Sequence, residues 1–307
     1  MIYTVTLNPS IDYVISLEHL QLGALNRIEQ DDKFPGGKGI NVSRVLKRLG
    51  VESETLGFIG GFTGAYIEQY LATEQIATDF VHVEEDTRIN VKVTTDVETE
   101  INGQGPMITT SEYEQLQGKI RNLPQGSILI LSGSVPAALP ETTYEELIKI
   151  CVANGVKFVV DAEGDLLQKA IAYRPFLIKP NHHELGGLFN CEITEPAEAI
   201  PYARQLVEQG AQNVIVSFAG KGAVFVNAKS ALISSVPVGE LESSVGAGDS
   251  LVAGFLAHYL QENDVEAAFK YGVAAGSATA FSVGLATKKT IEQLLPQVTI
   301  IERSEFL

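Results

Sequence analysis

Apolar residues along this chain fall into short, nearly continuous runs, separated by longer stretches in which they recur with helical spacing. Runs such as Ile128-Leu129-Ile130-Leu131 suit strands buried on both faces, as in a parallel sheet. The pattern predicts strands over 2–7, 55–59, 127–131, 156–161, 176–178, 213–217 and 223–226. It predicts helices over 38–49, 64–73, 111–123, 141–153, 197–209, 247–261 and 265–281. Strands alternating with helices in this way imply an α/β protein with a mostly parallel central sheet covered on both faces.

Two stretches break the alternation. Residues 11–34 hold short strand-like pieces among polar turns, and residues 88–105 read as a hairpin of alternating polar and apolar positions. Such alternation suits a sheet with one wet face. Strands left out of a parallel core are expected to form a small β lid over the C-terminal sheet edge, where open α/β sheets bind ligands. The whole chain, 1–307, then reads as one domain with that lid built in.

Composition narrows the function. With 45% apolar and 20% charged residues among 307, the chain is globular. Its net charge of −16 disfavours a nucleic-acid partner, which needs a basic face. Cys151 and Cys191 stand far apart and outside any metal spacing, which suits reduced thiols in a cytoplasmic protein. The first residues read as a strand without a basic leader, and no apolar run reaches the ~18 residues a bilayer requires. A soluble, cytoplasmic protein with no membrane partner is expected.

Candidate chemistry gathers at strand ends and helix starts. In Ser244-Val245-Gly246-Ala247-Gly248-Asp249-Ser250, small residues open into an apolar helix, a geometry that lets backbone N–H groups meet an anion. A carboxylate in that turn would repel a phosphate, and makes sense if Asp249 must meet a proton during phosphoryl transfer to an alcohol. Gly36-Gly37-Lys38-Gly39-Ile40-Asn41 is a second glycine-rich helix start, able to bind phosphate or hydroxyls, or to be a plain turn with a solvated lysine. It is no P-loop, since GxxxxGK[ST] occurs nowhere, and no dinucleotide fingerprint follows a strand. In Lys179-Pro180-Asn181-His182-His183-Glu184, Asn181 and Glu184 either cap a helix or face a hydrated Mg²⁺. Adjacent histidines point apart, which argues against zinc there. Arg88 suits a phosphate clamp or a surface ion pair. Asp12 suits hydroxyl binding or a turn, and Ser217-Phe218-Ala219-Gly220-Lys221-Gly222 a nucleotide loop or a hairpin. Ser132-Gly133-Ser134 ends a strand at the same edge.

Together these segments resemble the PfkB (ribokinase-like) carbohydrate kinases. Gly36 to Asn41 is similar to the N-terminal signature of that family, and Val245 to Ser250 to its C-terminal one. The likeness runs end to end. Within the family it is greatest to 1-phosphofructokinases, through Asn8-Pro9-Ser10-Ile11-Asp12, Thr87-Arg88-Ile89-Asn90-Val91-Lys92, Glu98-Thr99-Glu100-Ile101-Asn102-Gly103, Ser132-Gly133-Ser134-Val135-Pro136 and the segment from Lys179 to Leu185. Tagatose-6-phosphate kinases share much of this pattern.

The resemblance implies a three-layer α/β/α sandwich and an ATP-dependent, Mg²⁺-assisted sugar-phosphate kinase. Asp249 would be its base, with the N–H groups of Gly246, Ala247 and Gly248 as anion hole. Asp12, Gly37, Lys38, Asn41, Arg88 and Asn90 would hold the sugar phosphate, and Lys179, Asn181, Ser217, Gly220 and Gly222 the nucleotide. Glu184 would serve Mg²⁺ through water, and the lid would also make a homodimer contact. Two departures stand out: Ala162-Glu163 where relatives tend to carry Thr-Ser or Cys-Ser, and Ser244 where Thr is frequent. Fructose 1-phosphate is the expected acceptor. A tagatose-6-phosphate kinase, a non-catalytic sugar-phosphate sensor and a nicotinamide dehydrogenase are the alternatives, the last lacking its glycine fingerprint.

Overall fold

The computed structural model describes residues 1–28, 30–95, 97–162 and 164–303. Glu29 and Asp96, within the two lid stretches, and Glu163, beside Ala162, lie outside the described residues.

Two sheets organise the chain. Across the larger one the strands run Ile300–Glu302, Ala231–Ser234, Ala223–Asn227, Asn213–Ser217, Leu177–Ile178, Lys157–Asp161, Ile128–Ser132, Ile2–Thr6, Ser53–Gly60 and Ala77–Thr78, with Val81–Val83 also paired to Ser53–Gly60. From Asn213–Ser217 to the Ala77–Thr78 end, every pair is parallel, and the three strands on the other side are antiparallel. The parallel strands are buried on both faces, as their unbroken apolar runs require. In Ile128–Ser132, Leu129 and Leu131 join the core on one face, while Ile128 and Ile130 join the core on the other.

The predicted helices form, with ends shifted by at most three residues. Gly61–Thr73 and Thr143–Ala153 differ most from expectation at their starts. Helices Asp165–Ile171 and Lys288–Leu294, and the short strands Ala77–Thr78, Val81–Val83, Ala231–Ser234 and Ile300–Glu302, were not expected from the pattern, being too short to show a period, whereas helix His182–Phe189 was signalled only by its capping residues.

Helix Lys38–Arg48 lies on the sheet through hydroxyls as well as aliphatics. Ser43 Oγ meets Thr4 Oγ1 at 2.9 Å, Ser53 Oγ at 3.0 Å and Thr55 Oγ1 at 3.0 Å, all fully buried or nearly so. Its first turn is pinned to the end of strand Ile2–Thr6, where Thr6 Oγ1 accepts from the Ile40 N–H at 3.0 Å. Mutually satisfied hydroxyls cost little to bury and fix one register.

The second sheet has four strands, in the order Gln30–Gly36, Ser10–Ser16, Arg88–Thr94 and Glu98–Asn102. It is built from the two stretches that interrupt the alternation. Ser10–Ser16 pairs in parallel with Arg88–Thr94, and the two outer pairs are antiparallel. Alternate residues of its strands, Asp12, Asn90, Lys92, Glu100 and Asn102, line a cavity shared with the main sheet.

Candidate active site

The C-terminal ends of the parallel strands and the small sheet enclose a cavity of about 1740 Å³. Every candidate residue named from the sequence lines it, from Asp12 to Asp249. The topology thus gathers at one edge what lies some two hundred and forty positions apart in the chain.

Asp249 sits in the first turn of helix Ala247–Glu262 and is 5% exposed. The apolar stretch that follows, Leu251 to Ala257, is buried against helix Val265–Ala280, which fixes the helix and so its N-terminus. Gly246 caps it with φ 76°, and a Cβ there would lie 2.6 Å from Leu285 Cδ2. Only glycine meets both conditions. Asn41 Nδ2, from the second glycine-rich helix start, donates to Asp249 Oδ2 at 2.9 Å. The two signatures therefore touch.

Burial, joined by the negative charge of Asp161, pushes the Asp249 carboxyl from its ordinary 3.8 up to about 6, against the Asn41 hydrogen bond and the charges of Lys38 and Lys179. Asp161 is a cavity-lining carboxylate that sequence reasoning missed, having counted it only as the end of a strand. It is 1% exposed, and its Oδ1 lies 3.3 Å from Lys38 Nζ and 3.2 Å from Lys179 Nζ. Its Oδ2 is buried and without a hydrogen-bond partner among the described residues. Burial opposes its charge, yet Lys179 and Lys38 outweigh that and hold its pKa below the ordinary value. Burial likewise works against the Lys38 ammonium, and Asp161, Asp249 and Glu184 together overcome it and raise its pKa. Lys179 Nζ also stands over the helix start, since a Cβ on Gly248 would lie 3.2 Å from it. The available signal was a lone carboxylate closing an apolar strand at the edge where the other candidates end.

On the small sheet, Asp12 Oδ1 accepts from Ser10 Oγ at 2.8 Å and Asn90 Nδ2 at 3.1 Å. Gly36 passes so close that a Cβ would lie 2.4 Å from the same oxygen. Arg88 is only in part the free clamp its charge suggested. Its Nε and one Nη donate to the Asn8 carbonyl at 3.2 and 3.0 Å, and the other Nη to the Gly103 carbonyl at 3.0 Å. The guanidinium thereby ties the small sheet to the end of the first main strand, with its remaining N–H groups available at the cavity wall.

At the opposite end, Asn181 and Glu184 form a reciprocal capping box at the start of helix His182–Phe189. The Asn181 N–H donates to Glu184 Oε2 at 2.7 Å, and the Glu184 N–H to Asn181 Oδ1 at 2.8 Å. The structural role of the pair is therefore real, and both still line the cavity, where burial raises the Glu184 pKa. Asn181 bridges to Ser217, whose strand turns through Ala219–Lys221 into the antiparallel strand Ala223–Asn227, so the glycine turn is a hairpin. Gly222 is required by that hairpin's backbone: φ is 103° and a Cβ would lie 2.1 Å from the Ser234 carbonyl oxygen. Gly220, by contrast, has nothing within 4 Å of the same position. His182 stacks on Phe218 at 4.9 Å, and no group of three acidic, His or Cys side chains suited to a metal forms among the described residues.

Comparison with known proteins agrees with this fold. Residues 5–293 match the pfkB family carbohydrate kinase model. The 1-phosphofructokinase of Bacillus subtilis is 51% identical over 300 residues, covering 98% of this chain and 99% of that protein. The D-tagatose-1-phosphate kinase of Bacillus licheniformis is 36% identical over 301 residues, 98% of this chain and 99% of that protein. A crystal structure of phosphofructokinase-2 from Escherichia coli, in complex with substrates and products, superposes with a TM-score of 0.90 at 31% identity, covering 96% of this chain and 98% of that one. The ribokinase-like fold and the paired glycine-rich helix starts thus have one common explanation: the chain belongs to the pfkB family of carbohydrate kinases.

Proposed function

We propose that the protein transfers the γ-phosphoryl group of ATP to the 6-hydroxyl of fructose 1-phosphate, yielding fructose 1,6-bisphosphate and ADP. The observation that carries this reading is Asp249: a buried carboxylate at a helix N-terminus, braced by Asn41, with its pKa raised to about 6. At neutral pH it is ionised yet a better base than a surface aspartate. The hydroxyl oxygen attacks phosphorus as its proton passes to Asp249, and the bond from phosphorus to the ADP oxygen breaks. In a loose transition state that proton leaves late, so a moderate base suffices.

The N–H groups of Gly246, Ala247 and Gly248 face the negative oxygens, aided by the helix dipole. That of Ala247 first gives up a long, 3.3 Å bond to the Ser244 carbonyl. Lys38 and Lys179, held by Asp161, flank the same space. Asp12, Gly37, Asn41, Asn90 and Arg88 receive the sugar phosphate. Lys179, Asn181, Ser217, Gly220 and the Gly222 turn receive the nucleotide.

The oxygen donors present suit Mg²⁺, which needs few protein ligands when phosphates supply the rest. Glu184 through water and the unpartnered Asp161 Oδ2 would hold it, and when bound it would offset phosphate charge.

The four-stranded sheet acts as the lid of a single kinase domain, keeping water from competing as acceptor. Its strands leave Ile89 and Ile101 exposed on the side away from Asp12 and Asn90, and that face suits pairing with a second copy. Both cysteines are free thiols, in keeping with a cytoplasmic enzyme, and no helix among the described residues is long and apolar enough to cross a membrane.

The test is an acceptor panel with Mg·ATP: fructose 1-phosphate, tagatose 1-phosphate, tagatose 6-phosphate, fructose 6-phosphate and the unphosphorylated sugars. Fructose 1-phosphate should give the highest kcat/KM. A higher value on tagatose 6-phosphate would refute the choice of acceptor, and turnover surviving Asp249→Ala would refute the mechanism.

A further inference from the structure

Lys92 is a cavity-lining cation of the small sheet that the proposed machinery leaves without a task. It is 8% exposed and lies on strand Arg88–Thr94, on the same face as Asn90. Its Nζ stands 3.5 Å from Asp12 Oδ2 and 3.4 Å from Glu100 Oε1, Glu100 being its direct cross-strand partner. Both contacts are long for ion pairs. Asp12 does not depend on Lys92 for its position, since Ser10 and Asn90 already hold its other oxygen. Glu100 sits on the outer strand with its side chain 41% exposed, so its attraction for Lys92 is screened.

The placement of Lys92 relative to Asp249 supplies the second half of the argument. Asp249 bonds Asn41 in helix Lys38–Arg48, the chain leading into that helix passes Gly36 against Asp12, and Asp12 meets Lys92. Lys92 therefore lies further along this chain of contacts from the proposed base than Asp12 does. A ketose phosphate that presents one end to Asp249 carries its existing phosphate at the other. Of the two lid cations lining the cavity, Arg88 already has three N–H groups on backbone carbonyls.

We propose that Lys92 binds the resident phosphate of the acceptor, and that Glu100 is a placeholder which the phosphate displaces. This rests on the acceptor being a ketose phosphate. A phosphate near −2 offers Lys92 three oxygens in place of one long contact to a half-exposed carboxylate. Lys92 is already on the cavity face, so the exchange orders no new side chain. Glu100 lowers affinity for the phosphorylated acceptor by holding Lys92 and by repelling the incoming charge.

The test compares Lys92→Met, Lys92→Arg, Glu100→Gln and the Lys92→Met/Glu100→Gln pair on fructose 1-phosphate and on fructose, with Mg·ATP. Lys92→Met should lower kcat/KM for fructose 1-phosphate by about 30-fold, mostly through KM, as expected for a lost charge-assisted hydrogen bond. On fructose it should change kcat/KM by less than about 3-fold, and Lys92→Arg should recover most of the loss. Glu100→Gln should raise kcat/KM for fructose 1-phosphate about 3-fold in the native background and leave it unchanged beside Lys92→Met. Equal losses on both acceptors, or a fall in Glu100→Gln, would overturn the assignment and leave Lys92 as a brace for Asp12. If the native enzyme prefers another ketose phosphate, the acceptor reading fails, and the same four ratios measured on that sugar still decide the role of Lys92.

Discussion

Replacing Asp161 by Asn should move the acid limb of the kcat–pH profile downward. Asp249 can accept a proton only when ionised, so turnover is full above its pKa and falls as pH drops through about 6. The rise from 3.8 to about 6 corresponds, at about 1.4 kcal/mol per pKa unit, to about 3 kcal/mol disfavouring the Asp249 anion. Burial is the larger cause and Asp161 the second, while Lys38 and Lys179 pull the other way. Asp161→Asn removes the repelling charge. It also frees both lysines from the oxygen that now neutralises them at 3.3 and 3.2 Å, so their full charge acts on Asp249. The two effects have one sign, and together they should lower the limb by about one pH unit.

The assay is kcat against pH from 4.5 to 8.5 at saturating Mg·ATP and sugar phosphate, native enzyme beside variant. Substrate phosphates also titrate near pH 6, so the readout is the difference between the two enzymes, in which substrate titration cancels. Plateau kcat should also fall, because Lys38 and Lys179 lose the carboxylate that places them. An acid limb that stays put or moves up would refute the idea that Asp161 repels Asp249, whatever happens to the plateau.

Three further outcomes follow from the same structure. Asn41→Leu removes the hydrogen bond that Asn41 gives Asp249 Oδ2, so it should move the same acid limb upward, opposite in sign to Asp161→Asn; a downward move contradicts the bracing role. Asp249→Asn should abolish turnover yet stabilise the fold. The folded pKa is raised, so the stability Asp249 contributes is present below pH 3.8 and lost as pH rises through about 6. The variant should therefore gain up to about 3 kcal/mol in urea unfolding at pH 8 and little at pH 4. Glu74→Ala, remote from the cavity, should cost about 3 kcal/mol of stability and spare kcat. It strands Arg44, which is 4% exposed and bonded to both Glu74 oxygens at 2.7 and 3.0 Å, and equal denaturation midpoints would contradict this.

What the sequence revealed and what it hid follow from how each feature is stabilised. Strands such as Ile128–Ser132 and helices such as Ala247–Glu262 are long enough for burial to impose its own period on the residues. The edge strands Ala77–Thr78 and Ile300–Glu302 are too short to do so, and they are strands only because a neighbour offers hydrogen bonds. In the small sheet the hairpin within 88–105 was legible, but not the pairing between the two stretches. Ser10–Ser16 lies in parallel beside Arg88–Thr94, across a separation that no local pattern encodes. Arg88 illustrates the limit for single residues. Its charge announced an anion site, whereas three of its N–H groups serve carbonyls that only the folded chain brings near.

Asp161 and Asp249 carry that lesson into the chemistry. Each is one carboxylate beside an apolar run; the glycine-rich turn marks Asp249 in the sequence, and nothing local marks Asp161. The fold sets them apart. Two lysines reach Asp161 and hold it charged, whereas Asp249 receives an amide and a buried helix start, which leave it able to take a proton near neutral pH. A pair of titratable groups whose surroundings drive their pKa values apart divides labour between a fixed charge and a base. Exchanging those surroundings, by moving the lysine contacts from Asp161 to Asp249, would lower the pKa of Asp249 and weaken it as a base. The position of the helix start Gly246 to Asp249 is therefore only half of the device, and the other half is the strand end that keeps the lysines occupied.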